Sequence, residues 1–127
     1  MNKNPIEDMI NLIPELTDFG IGIYPNHQGD MQNEDIFRES QLQLLGSFKD
    51  FDKAVNWLKK VEKISNFNTK RSSNNLKLLA ERDIGYISNG IFIAAAIHSG
   101  FRFKLEPESP NVQFNMSERS LKKLEDC

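Results

Sequence analysis

Ser88-Asn-Gly-Ile-Phe-Ile-Ala-Ala-Ala-Ile-His-Ser-Gly100 contains seven consecutive residues, 91–97, without a polar side chain. Ser88 suits a helix N-cap, because its hydroxyl accepts from an unpaired first-turn N–H, and Gly100 suits the left-handed stop of a helix. Three successive alanines favour helix over strand, although the flanking Ile and Phe fit either. A helix apolar on every face belongs in a core or a subunit contact. Seven apolar residues are far too few to cross a bilayer. The stretch therefore predicts a buried central helix at about 88–99, covered either within one chain or by a second copy, so a homodimer is a possible arrangement.

Working outward, 127 residues are expected to form a single domain, 1–127, with a core that needs no staples. Cys127 is the one cysteine, which excludes an intrachain disulfide and fits a reducing compartment. Residues 1–16 include Glu7, Asp8 and Glu15 and lack the clean apolar run of a signal peptide, so a cytoplasmic location is expected.

On the C-terminal side, Phe101-Arg-Phe-Lys-Leu105 and Val112-Gln-Phe-Asn-Met116 each alternate apolar and polar residues around a Pro-containing turn, predicting a hairpin. Ser117 then caps a short final helix over residues 118–124. On the N-terminal side, Leu76, Leu78, Leu79 and Ala80 lie on a helix that Gly85 stops. Residues 50–64 read as one amphipathic helix capped by Asp50. Its stripe is Phe51, Ala54, Val55, Leu58, Val61 and Ile64, with Trp57 at the edge. Asn4-Pro5 opens a first helix that Pro14 kinks or ends near Ile13. Phe19-Gly-Ile-Gly-Ile-Tyr24 reads as a short strand, residues 25–30 as a loop, and the segment from Asp35 as a polar helix. The expected fold is α+β and mostly helical: about five helices around the central one, with a two-stranded hairpin at about 101–105 and 112–116.

Charge is unevenly spread. Residues 1–51 carry three basic residues against nine acids, a net −6, whereas residues 52–127 carry thirteen against nine, a net +4. Such polarity fits an anionic partner for the second half, or two halves that neutralise each other by packing together. The inventory of reactive groups is thin. His27 and His98 stand far apart and outside any spaced ligand cluster, so no metal or cofactor is expected. A Cys–His nucleophile would need the terminal Cys127, and Gly20-Ile-Gly22 lacks the third glycine of a phosphate-cradling loop. A non-enzymatic protein is the expectation.

Two adjoining helices at 76–82 and 88–99 have the length pattern of a helix-turn-helix. The second offers Ile, Phe and Ala where a recognition helix needs polar side chains, so it is no groove reader. Nucleic-acid binding would instead use a basic face over residues 53–77, through Lys59, Lys60, Lys63, Lys70, Arg71 and Lys77, by contacts mostly to phosphate. Lys70, Arg71 and Lys77 are the three singled out. The alternative is a protein-interaction module, an inhibitor or adaptor, that uses the acidic first half with Asp30, Glu34, Asp35 and Glu39 beside Phe37. On that reading, residues 1–45 form an arm whose removal leaves the remainder folded.

Arg71-Ser-Ser, Tyr86-Ile-Ser-Asn-Gly-Ile-Phe-Ile-Ala-Ala-Ala-Ile97, Gly100-Phe101, Pro110-Asn111 and Phe114-Asn115 together resemble a family of small bacterial proteins. That family is associated with phage, plasmid and other mobile-element genes. Its pattern runs Ser-Tyr-Gly-Leu-Lys-His, then Tyr-(Val/Ile)-Ser-Asn-Gly-x-Phe-Ile-Ala-Ala, then Gly-(Phe/Tyr) and Asn-x-x-Phe-Asn. This chain keeps Leu76 and Lys77 but has Asn74-Asn75 for Tyr-Gly and Leu78 for His. The resemblance implies a genetic context and no particular activity. A retained central helix beside a drifting motif fits a binding protein better than an enzyme.

Overall fold

The computed structural model describes residues 5–13, 16–17, 20–21, 34–106 and 111–125. The chain runs α1 (Pro5–Leu12), β1 (Leu16–Thr17), β2 (Gly20–Ile21), α2 (Glu34–Leu45), α3 (Phe48–Leu58), α4 (Ser73–Ile84), α5 (Asn89–His98), β3 (Phe103–Leu105), β4 (Val112–Phe114) and α6 (Glu118–Glu125). The fold is α+β and mostly helical, with six helices among the described residues against about five expected. Of the strand expected at 19–24, Gly20–Ile21 is described, and it pairs antiparallel with Leu16–Thr17. The loop at 25–30, with Asp30 and His27, lies outside the described residues, as do Cys127 and the turn at 107–110.

The central helix forms as its ends dictate. The Ser88 hydroxyl accepts from the Ile91 N–H at 3.1 Å. At the other end Gly100 has φ +95°, its N–H reaches the Ile97 carbonyl, and the Phe101 N–H reaches that of Ala96. Those are the two bonds of a Schellman motif. Between these caps, residues 91–96 are fully buried in the single chain. The helix packs mainly on α3, with α1, α4 and the β1–β2 pair against its other sides. Phe92 sits 6.2 Å from both Trp57 and Phe114, centroid to centroid, joining helices and hairpin in one core.

α3 is shorter than its stripe predicts. It ends at Leu58 rather than Ile64, because the following residues pair elsewhere. Lys63 forms an antiparallel bridge with Met116, the Ile64 N–H donates to the Asn115 carbonyl, and the Ser117 N–H donates to that of Glu62. Val61 reaches the core from a turn, and Ile64 is exposed. The helix starts after Ser47, whose hydroxyl donates to the Gln43 carbonyl, so Asp50 is a first-turn residue and not the cap. Trp57, expected at the edge of the stripe, is buried, and its indole N–H donates to Asp83 Oδ2 at 2.8 Å, tying α3 to α4.

The hairpin is present but narrower than 101–105 and 112–116. Phe103, Lys104 and Leu105 pair with Phe114, Gln113 and Val112. β4 alternates buried and half-buried residues, while Lys104 and Leu105 on β3 are exposed. The arm expected at 1–45 is corrected: Ile6, Leu16 and Leu44 are fully buried in the same core as α5. No helix of the described residues is long and apolar enough to cross a membrane.

Truncating Ile93 to Ala opens a cavity under α5 and is expected to cost about 2–5 kcal/mol in urea denaturation. Removing residues 1–45 uncovers α5, and the fragment is expected to lose its cooperative thermal transition by circular dichroism.

Candidate nucleic-acid interface

Asn115 joins the segment after α3 to the segment before β3. It is 5% exposed, so its polar atoms need partners inside the protein. The Asn115 carbonyl accepts from the Ile64 N–H, and its side-chain Nδ2 donates to the Ile64 carbonyl at 3.0 Å. Its Oδ1 accepts from the Arg102 N–H at 2.7 Å, and its own N–H donates to the Arg102 carbonyl. One asparagine thus fixes residues 64 and 102 side by side.

Two cations flank this junction, each over an aromatic ring. Lys63 Nζ lies 4.8 Å from the centroid of the Phe101 ring. The Arg102 guanidinium carbon lies 5.5 Å from that of Phe67, and its Nη2 donates to the Ser65 carbonyl. Cations over aromatic faces are attracted by the ring quadrupole. Both remain exposed, and neither is ion-paired among the described residues. Lys59, Lys60 and Lys70 are exposed on the same 59–70 connection, where Glu62 is the one acid, also exposed.

Asn68 holds the connection down. Its N–H donates to the Phe114 carbonyl at 2.8 Å, and its Nδ2 to the Met116 carbonyl and Glu118 Oε1. Its Oδ1 accepts from the Lys70 N–H, which leaves the Lys70 ammonium outside.

Arg71 and Lys77 stand apart from the other expected contacts. The Arg71 side chain is 11% exposed and clamps α6, making two bonds to the Glu118 carboxylate at 2.9 Å and two to Glu125 at 3.0 Å. These bonds raise the Arg71 pKa above its ordinary value and depress that of Glu125. Glu118 falls from 4.5 to about 2, chiefly through its bonds from Arg71, with burial opposing and Asn68 assisting. Lys77 is 8% exposed, bonds Glu81 Oε2 at 3.2 Å and lies over the Tyr86 ring. The same Glu81 oxygen accepts from the Ile87 N–H at the approach to α5. Both cations hold helices in place.

Arg102, Phe67 and Asn115 are the site residues that sequence reasoning left without a role. The alternation at 101–105 already put Arg102 on the polar side of the run. Its neighbour across the chain was not readable. Of Asn74, Asn75 and Leu78, where the chain differs from the pattern it resembles, Asn75 and Leu78 line a shallow hollow of about 190 Å³ beside Arg71 and Arg82. His98 is exposed with its ring edge-on to Phe51 at 5.3 Å. Among the described residues no three His, Cys, Asp or Glu side chains cluster as metal ligands. Comparison with protein-family models, curated proteins and solved structures found no match.

Asn115→Ala strands the Arg102 N–H and the Ile64 carbonyl and is expected to cost about 1–3 kcal/mol in denaturant titration. Glu118 has its pKa depressed on folding, so it stabilises the protein above pH 4.5. That contribution disappears as pH falls through about 2. Over this window Glu118→Gln is expected to show a shallower loss of stability than the wild type, read from urea midpoints.

Proposed function

We propose that this chain is a small non-enzymatic bacterial accessory protein, of mobile-element context, that binds nucleic acid along the sugar–phosphate backbone. The contacts are Lys59, Lys60, Lys63, Lys70 and Arg102. The observation that carries this reading is the Asn115 junction, which pairs Ile64 with the Arg102 backbone, with Lys63 and Arg102 both exposed and outside any ion pair among the described residues. Backbone contacts of this kind release counterions and need no base-specific geometry. The burial of α5 on all sides leaves it no role in a groove.

A protein-interaction module is the second reading. It draws on the meeting point of α2 and α3, where Glu39, Leu42 and Phe48 are exposed. The side chains of Glu34, Asp35 and Phe37 lie outside the described residues.

Replacing Lys59, Lys60, Lys63 and Arg102 together by Ala is expected to weaken binding to a similar degree across sequences. In fluorescence anisotropy, the slope of log affinity against log salt should shrink by roughly 3. Arg71→Ala is expected to lower stability and leave that slope alone. An unchanged slope in the quadruple variant overturns the assignment, and binding of a protein partner that survives in it favours the second reading.

A further inference from the structure

We infer that the ligand of this face is single-stranded nucleic acid, with an unstacked base seated on the Phe67–Arg102 pair. The inference rests on the nucleic-acid reading above and adds the strand state. Phe67 is half-buried, so it is a fixed support and not a loose side chain. The Arg102 guanidinium lies over its ring, tethered at one end by the Ser65 carbonyl and at its own backbone by Asn115. The guanidinium is planar, and Arg guanidinium planes and aromatic rings are the two surfaces on which splayed-out bases stack.

A duplex keeps its bases stacked on one another and shows such a platform only groove edges and phosphates. The platform is built from a connection and the approach to a short strand, with no helix projecting from it. The connection itself carries Lys59, Lys60, Lys63 and Lys70 at intervals, an arrangement that follows a flexible backbone past a fixed stacking point.

The test compares labelled oligothymidine with a labelled duplex in anisotropy titrations, using the full chain, Phe67→Leu and Arg102→Lys. Phe67→Leu keeps an apolar support without a ring. Arg102→Lys keeps the charge without the plane and leaves Phe67 in place should the first variant fold poorly. Oligothymidine is expected to bind more tightly than duplex. Each variant should lose roughly tenfold in affinity for oligothymidine, and Phe67→Leu should leave duplex binding and the salt slope unchanged. Tighter duplex binding, or variants that leave oligothymidine affinity intact, overturns the strand assignment while the backbone reading stands. Binding of neither probe at low salt overturns both.

Discussion

A helical stretch with no polar face has no surface it can show to water, and residues 91–96 of α5 are such a stretch. Residues 91–96 are buried all round, so elements from both the acidic and the basic half of the chain are recruited to cover them. α3 takes the largest share, and α1, α4 and the β1–β2 pair close the remaining sides. Coverage by elements of both halves makes the acidic and basic halves inseparable, whatever their charges imply in sequence. It also decides the fate of the helix-turn-helix pattern. The helix that would lie in a groove is already surrounded.

The polar residues of the C-terminal half act by a different rule. Asn68, Asn115 and Arg71 are each largely buried and hydrogen-bonded, and together they tie the 59–70 connection to β4 and α6. A buried amide left half-satisfied is costly, so the geometry is specified narrowly. The basic face stands on this framework. Stability and the placement of Lys63 and Arg102 therefore come from the same bonds.

What was legible in sequence was local. Ser88, Gly85 and Gly100 cap helices as their chemistry predicts, and the alternation at 101–105 and 112–116 does mark a hairpin. What was not legible was set by partners far along the chain. α3 stops early because residues 62–64 bond to 115–117, a competition invisible in a helical stripe. Arg71 reads as a surface cation until Glu118 and Glu125, about fifty residues on, are seen to neutralise it. Lys77 had its partner within reach, since Glu81 is one helical turn away, and the i,i+4 spacing was the missed signal. Counting charges by halves could not tell a cation bound to a helix from one facing water.

Trp57 is the only tryptophan of the chain, and its indole is held between α3 and Asp83 of α4. The protein thus carries its own optical reporter at a helix–helix contact. Emission stays characteristic of a dry site while the two helices remain docked and moves to the red once water enters. None of the residues of the basic face includes this chromophore. Unlabelled protein can consequently report loss of this helix–helix contact by its own emission, in a channel separate from any labelled ligand.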